Sequence, residues 1–325
     1  MDEIARQFIN RYQGGFPLTE FPFAPLADEL GISSSELISL IQGLLDDGLL
    51  SRFGPLYDAA SMGGSITLAA LSVPEARYQE VTEIVNGFAE VAHNYQRENQ
   101  LNMWFVIATE TPESLQATLD HIEQNVNLPV YNFPKLQTFY LGLWLQLDAD
   151  GSVSTQPVPG PVKQGGMVID ELDRSIVQAS QAGLPLQTAP YSEIANSCNC
   201  DTDTVIQRMQ HMLERGVIRR IGAVPNHYRL GLRANGMSVW DVDDERLQEL
   251  GSRVGRLDFV SHCYERPRRP PIWPYNLFAM VHGHDRDEVM EKVAQVASLL
   301  GGNVRHHDVL FSTRILKKTG LRLIT

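Results

Sequence analysis

The chain has 325 residues, of which 43% are hydrophobic and 20% charged, which is typical of a globular protein with two to four domains. Its acidic N-terminus lacks the basic and apolar regions of a secretory signal, and no apolar run approaches the roughly 20 residues of a membrane helix. Three cysteines are too few for a disulfide framework. We therefore expect a cytoplasmic protein with no membrane partner.

The net charge of −12 is unevenly distributed along the chain. Residues 1–150 carry 6 Lys and Arg against 20 Asp and Glu, a net charge of −14, whereas the remaining residues have a net charge of +2. Because unlike charges attract, an anionic ligand should prefer the second half, and DNA should be repelled by the first.

The chain is an internal duplication. Four short motifs recur at a constant spacing of 168 residues: those at 15–18, 26–27, 44–48 and 52–54 match those at 183–186, 194–195, 212–216 and 220–222. Ungapped agreement over roughly forty positions indicates one protein unit written twice in tandem.

Each copy begins with three predicted helices. The apolar spacing predicts helices over residues 4–12, 24–30 and 34–47 in the first copy and over 169–182, 191–197 and 201–215 in the second. Ser33 and Asp201 can cap the third helices, and Gly48 and Gly216 end them. This pattern is typical of a helix-turn-helix domain followed by a strand pair as a wing, over residues 1–58 and 167–230.

The rest of each copy predicts strand, helix, strand, strand, helix, strand. Strands are expected at 65–73, 91–97, 102–109, 136–145, 235–242, 259–264, 276–282 and 304–312, with helices at 77–88, 113–124, 245–254 and 287–299. This order predicts ferredoxin-like sandwiches over residues 59–147 and 231–325. Residues 148–166, rich in Pro and Gly, predict an exposed linker. The expected fold class is α+β: a tandem repeat of winged helix-turn-helix plus ferredoxin-like sandwich, forming an internal pseudo-dimer.

One motif, His-x-Tyr-x-Arg, occurs on the second strand of both predicted sandwiches. Its members are His93, Tyr95 and Arg97 in the first copy and His262, Tyr264 and Arg266 in the second. Side chains two residues apart on a strand point to the same face, so an acid–base group, a phenol and a fixed cation should project together. A single strand histidine more often has a structural role. Its presence in both copies favours function, although duplication alone could preserve it.

The second copy carries additional basic and histidine residues. Arg219 and Arg220 lead to Asn226-His227, and the first copy has Asp58-Ala59 in place of Asn226-His227. The last strand adds Arg305, Lys317 and Lys318. An insertion at 267–274 lengthens the hairpin after His262. These features predict a surface suited to a large planar ligand with many carboxylates, although the charge runs could also be a solvated face. We expect one principal site, built mostly from the second sandwich with the first copy as a wall.

A helix-turn-helix joined to a ferredoxin-like domain resembles the Lrp/AsnC transcription regulators. A recognition helix needs cations opposite the phosphates, yet residues 33–47 contain no Lys or Arg and three acids. The corresponding residues 201–215 contain only two Arg against three acids. We therefore expect no DNA partner, and a transcription regulator is an alternative function.

The motifs also resemble those of an enzyme family. The segments SRFG, RRIGAVPNH, VAHNYQRENQLNMWFV, VSHCYERP and HDVLFSTRILKK look like the siroheme decarboxylases, especially the fused form that joins two homologous subunits, NirD and NirL. The resemblance covers nearly the whole chain except the linker. Ordinary Lrp regulators lack His-x-Tyr-x-Arg at that strand.

The resemblance implies removal of the acetate carboxylates at positions 12 and 18 of siroheme, giving didecarboxysiroheme for haem d1 or for an alternative haem pathway. It implies acid–base chemistry without redox change, no metal site, and no cofactor beyond the iron carried by siroheme. The chain could also form a homodimer. A non-catalytic tetrapyrrole sensor, with His93 and His262 as iron ligands, is a further alternative.

We expect these residues to divide the chemistry between proton transfer and binding. Near-neutral histidines suit proton transfer, and arginines hold carboxylates bidentately. The proton-transfer candidates are His93, His262 and His227. The carboxylate-binding candidates are Arg97, Arg220, Arg266 and Arg305, and Tyr95 and Tyr264 would position the substrate.

Overall fold

The structure is a computed structural model that describes residues 1–158 and 165–319. Residues 159–164 of the predicted linker and the terminal residues 320–325 lie outside the described residues. No helix in the described parts is long and apolar enough to cross a membrane.

Both helix-turn-helix domains are present. Their helices are α1 (Glu3–Arg11), α2 (Phe23–Leu30) and α3 (Ser34–Asp46), and α6 (Glu171–Ser180), α7 (Pro190–Cys198) and α8 (Thr202–Glu214). Ser33 caps α3 in a capping box with Glu36, and the carboxylate of Asp201 accepts from Thr204 at the start of α8. The predicted caps are therefore confirmed, because these oxygens satisfy amides that a helix start leaves free.

The expected wing is formed between the copies and not within each one. Each domain contributes one strand, β1 (Leu50–Tyr57) or β9 (Ile218–Pro225), and these two pair antiparallel. The repeated glycines Gly54 and Gly222 allow backbone segments of the opposite copy to pass close to the paired strands. A Cβ on Gly54 would lie 2.7 Å from the backbone nitrogen of Leu184, and one on Gly222 would lie 2.4 Å from the carbonyl oxygen of Tyr12. The prediction of a strand pair in each copy is therefore wrong.

Part of the predicted linker is structured. The strand β7 (Trp144–Leu147) pairs with β8 (Val153–Gln156), which lies inside the segment expected to be an exposed linker. Side chains on α1 and just after it hold this hairpin: Asn10 donates to the carbonyl of Leu147 at 2.8 Å, and Gln13 donates to that of Leu145 at 2.6 Å. Leu145, Leu147 and Val153 of this hairpin therefore pack in the core of the helix-turn-helix layer.

The two sandwiches follow the predicted element order. The first contains β2 (Ser65–Leu71), α4 (Tyr78–Gly87), β3 (Val91–Arg97), β4 (Met103–Thr109), α5 (Pro112–Val126), β5 (Tyr131–Pro134) and β6 (Gln137–Leu141). The second contains β10 (Ala234–Val242), α9 (Leu247–Val254), β11 (Val260–Glu265), β12 (Leu277–Gly283), α10 (Arg286–Leu300) and β13 (Val304–Lys318). The strand predicted over 136–145 is confirmed only in part: β6 lies within it, but the strand ends at Leu141, β7 begins at Trp144, and β5 precedes it.

One nine-stranded sheet joins the two sandwiches, in the order β5-β2-β4-β3-β13-β10-β12-β11-β6. The last strand of each copy crosses to the other: β13 pairs with β10 of its own copy and then with β3, while β6 pairs with β11. The edge strands β5 and β6 are separated by only Lys135 and Leu136, so the sheet curls back on itself. The expected α+β fold class is confirmed.

Apolar side chains pack on both faces of the curled sheet, the outer and the inner. Helices α4 and α5 cover the outer face of the first sandwich, and α9 and α10 cover that of the second. The inner face holds an aromatic cluster drawn from both copies, including Trp104, Phe133, Trp273 and Phe278. The two His-x-Tyr-x-Arg rows lie on this inner face beside the cluster.

Candidate active site

The His, Tyr and Arg side chains of each copy form one row on the inner face. The His93 and Tyr95 ring centroids are 6.2 Å apart, and the Arg97 guanidinium lies 5.6 Å from the Tyr95 ring. In the second row the His262 and Tyr264 rings are 6.0 Å apart, and the Arg266 guanidinium lies 5.0 Å from the Tyr264 ring. The expected alignment is confirmed; the chemical roles stay a prediction.

Both row arginines are buried and support the junction between the copies. Arg97 donates from Nη1 to the carbonyl of Leu310 at 2.7 Å, and Arg266 donates to the carbonyl of Phe133. Each acceptor belongs to a strand of the other copy: Leu310 lies on β13 and Phe133 on β5. The Nε of each arginine is buried without a hydrogen-bond partner. Burial lowers the pKa of both guanidinium groups to about 10, so they remain cationic at neutral pH.

A basic cavity of about 600 Å³ adjoins the row of the first copy. It is lined by Asn226, Tyr228, Arg229, Arg233, Ile315 and Lys318. Lys318 is the register partner of His93 between β13 and β3, and its Nζ lies 5.5 Å from the Tyr228 ring. The second copy therefore supplies the cations that border the first copy's histidine. Tyr228, Arg229 and Arg233, which precede β10 in the chain, were not among the predicted site residues.

The row of the second copy has a different basic environment. Lys135, at the junction of β5 and β6, places its Nζ 5.6 Å from the Tyr264 ring. Burial, reinforced by His282 and by the cations Arg219 and Lys135, lowers the pKa of His262 to about 3. Lys135 was not predicted, because it comes to this row only through the crossing of the last strand.

The other candidate histidines are also held neutral. Burial, reinforced by the charge of Lys318, lowers the pKa of His93 to about 4. Burial, reinforced by His282 and Lys318, lowers that of His227 to about 3. The His227 and His282 ring centroids are 5.2 Å apart. At neutral pH these imidazoles are therefore uncharged, and a bound anion would favour their protonation.

The structure does not bring two of the predicted carboxylate ligands to the rows. Arg220 donates to the carbonyls of Gln13 at 2.8 Å and Leu143 at 3.3 Å, and its guanidinium lies 5.6 Å from the Trp144 ring. These contacts give it a structural role where α1, β7 and β9 meet. Arg305 is exposed at the opposite end of β13 from Lys318, where it pairs with Asp241. The position of Arg220 follows from the pairing of β9 with the first copy, and that of Arg305 from the length of β13, which separates its two ends.

Comparison with known proteins agrees with this architecture. A model of an AsnC-like ligand binding domain matches residues 61–139 and 229–317, and a model of a siroheme decarboxylase NirDL-like HTH domain matches residues 5–50 and 173–219. A siroheme decarboxylase of Hydrogenobacter thermophilus is 31% identical over 320 residues, which are 95% of this chain and 92% of the relative.

The chain belongs to the siroheme decarboxylase family. The NirH subunit of the siroheme decarboxylase of Paracoccus pantotrophus is 58% identical over 154 residues, covering 47% of this chain and 96% of the subunit. The crystal structure of a siroheme decarboxylase NirDL with an iron-uroporphyrin III analogue superposes with a TM-score of 0.73 at 27% identity, covering 98% of this chain and 93% of that one. The family inferred from the sequence motifs is therefore confirmed, and with it a decarboxylating enzyme.

Proposed function

We propose that the chain removes the acetate carboxylates at positions 12 and 18 of siroheme and forms didecarboxysiroheme, which serves haem d1 or an alternative haem pathway. The observation that carries this proposal is the pair of His-Tyr-Arg rows on the inner face of the curled sheet, one of them bordered by Arg229, Arg233 and Lys318. Histidine supplies a proton, and fixed cations hold carboxylates, which are the two functions that this reaction requires.

The reaction balances without a redox partner. At each acetate the bond between the methylene carbon and the carboxylate breaks, CO₂ leaves, and the electron pair passes into the ring system. A proton then adds to the exocyclic carbon and completes a methyl group. Each CO₂ lost therefore consumes one proton and no electrons, and the proposal includes no cofactor beyond the iron that siroheme carries.

The neutral histidines are suited to protonation by substrate binding. In the free protein, burial and nearby cations disfavour the imidazolium forms of His93 and His262. Siroheme brings several carboxylates into this environment, and their negative charge favours the imidazolium. We infer that binding loads a proton onto a row histidine, which then serves as the general acid.

The proposal extends to partners and location. The name of the NirH relative describes it as a subunit. We infer that this chain, whose two copies form an internal pseudo-dimer, acts with further chains of the family or as a homodimer. We place it in the cytoplasm, where the free thiols of Cys198, Cys200 and Cys263 would stay reduced.

The test is an anaerobic incubation of the purified chain with siroheme, followed by mass spectrometry of the tetrapyrrole. The expected product is lighter than siroheme by two molecules of CO₂. The contradicting result is tight binding of siroheme whose mass stays unchanged, both with the purified chain alone and after other subunits of the family are added. That result would favour the tetrapyrrole sensor.

A further inference from the structure

A hydrogen-bonded chain of side chains stands behind His262. Ser261 Oγ lies 2.8 Å from Nδ1 of His262 and 2.6 Å from Nε2 of His282. The remaining ring nitrogen of His282, Nδ1, bonds Oδ1 of Asn235. Ser261, His282 and Asn235 are all buried, with exposed fractions of 1%, 4% and 5%. No step of the proposed reaction uses these three side chains.

The orientation of the Asn235 amide assigns a place to each proton. Because Oδ1 of Asn235 faces Nδ1 of His282 and an amide oxygen can only accept, we assign the His282 proton to Nδ1, with Nε2 as the acceptor. Ser261 then donates its hydroxyl proton to His282, and its oxygen accepts from Nδ1–H of His262. The Nε2 of His262 is therefore the nitrogen left to exchange a proton with a ligand, because Nδ1 is held by Ser261.

The first copy has no equivalent chain. In the matching registers, His93 lies opposite Val106 as His262 lies opposite Met280. His282 lies two residues after Met280, and the corresponding residue two positions after Val106 is Ala108. Likewise, Ser261 precedes His262, whereas Ala92 precedes His93. The Nδ1 of His93 is buried without a hydrogen-bond partner. The two rows therefore share side chains but differ in what orients the histidine.

We propose that Ser261 and His282 are positioning residues that hold His262 as the proton donor for siroheme decarboxylation, and that the second row delivers the proton. This inference rests on the proposed function. In the complex, Nδ1–H of the His262 imidazolium stays on Ser261 while the Nε2 proton passes to the exocyclic carbon as CO₂ leaves. Solvent returns a proton to His262 for the next turnover. An oriented third group of this kind is a recurring support for catalytic histidines.

The decisive variants are Ser261→Ala, which removes the acceptor of Nδ1–H, and Ser261→Thr, which keeps a hydroxyl and suits a strand. Ser238→Ala is the matched control. Ser238 is a fully buried serine on β10 whose hydroxyl donates to the carbonyl of Ala279 and accepts from the Trp240 indole, so it is not part of the hydrogen-bonded chain that runs from His262 to Asn235. We expect Ser261→Ala to lower kcat by at least about tenfold with KM changed by less than about twofold. Ser261→Thr should recover most of the rate, and Ser238→Ala should keep it.

A second readout does not depend on turnover. In protein labelled with ¹⁵N-histidine, NMR should show His262 protonated at Nδ1 in the wild type and a changed tautomer mixture in Ser261→Ala. If Ser261→Ala does not fold, Ser261→Cys removes the strong acceptor with little change in size. Unchanged kcat in these variants, or the same His262 tautomer with and without the hydroxyl, would overturn the inference. An inactive wild type would instead count against the proposed function, and the tautomer would still decide whether Ser261 orients His262.

Discussion

At the scale of single residues, the site consists of neutral histidines beside permanent cations. The pKa of His262 is lowered to about 3 and that of His93 to about 4, so neither imidazole is charged in the free protein at neutral pH. We expect the carboxylates of the substrate to reverse this balance by neutralising the cations. On this proposal, binding and proton loading are coupled through the same electrostatic field.

The role of His262 is tested by His262→Gln, which removes the titrating group. We expect kcat to fall by about a hundredfold or more, because a positioned proton donor contributes that order of rate enhancement. Binding, followed by the absorption spectrum of siroheme, should persist. His121→Gln, on the exposed face of α5, is the control and should leave kcat unchanged. Full activity in His262→Gln would remove His262 from the mechanism.

Lys318 provides a separate test of the basic cavity. Lys318→Met removes a cation at the cavity beside His93, so the affinity for a porphyrin with many carboxylates should fall by about five- to tenfold. The salt dependence of binding should weaken as well. Arg305→Met is the control, because Arg305 pairs with Asp241 at the far end of β13. Equal losses in both variants would show that the effect is a general one of net charge.

At the scale of elements, the two copies are held together by crossing strands and by the ribbon of β1 and β9. The ribbon requires glycine where it touches the other copy: Gly222 lies against the backbone of residues 12–14, and Gly54 lies against that of residues 183–184. These glycines are the ones that the repeat preserves, in Arg52-Phe53-Gly54 and Arg220-Ile221-Gly222. The duplication therefore retained the contact surface between its own halves.

The space around each glycine predicts opposite effects on stability for substitutions in the ribbon and in α3. Gly222→Ala should destabilise the protein by about 1–3 kcal/mol, since its Cβ would lie 2.4 Å from the carbonyl oxygen of Tyr12. Gly43→Ala, in α3 with nothing within 4 Å of the added Cβ, should stabilise it by up to about 1 kcal/mol. Urea unfolding of the three proteins measures both changes. A neutral Gly222→Ala would contradict the close approach.

The sequence predicted most elements because their signals are local. Helix caps at Ser33 and Asp201 and the alternation along β3 and β11 depend on neighbouring residues alone. The pairings between copies did not follow from local patterns, since β1 finds its partner 168 residues away in the repeat and β13 continues past its own sandwich. Tyr228, Arg229, Arg233 and Lys135 were missed for the same reason: they come close to the rows only through those pairings.

At the scale of the whole molecule, four buried histidines link stability to pH. The pKa values of His93, His227, His262 and His282 are lowered to between about 3 and about 4, against an ordinary value of 6.5. At pH values between the lowered pKa values and 6.5, the unfolded chain binds more protons than the folded one. Stability is therefore fully present above about pH 6.5 and is lost as pH falls toward 4.

The acid sensitivity can be measured by urea unfolding at several pH values. Each histidine contributes up to about 1.4 kcal/mol per pH unit to the slope within that window. We expect His282→Gln to have a shallower slope than the wild type below pH 6.5, whereas His121→Gln, at an exposed position, should not. A free energy of unfolding that stays constant from pH 7 to pH 5 would show that these histidines titrate normally.

In the proposed reaction the chain exchanges each departing CO₂ for one proton, with no change in oxidation state. The most direct measurement is an anaerobic reaction of the chain with siroheme in D₂O, without added reductant, followed by mass spectrometry of the product. We expect the loss of two CO₂ and the gain of one solvent-derived deuterium in each new methyl group. Loss of CO₂ without deuterium in the methyl groups, or a requirement for an added electron donor or acceptor, would contradict it.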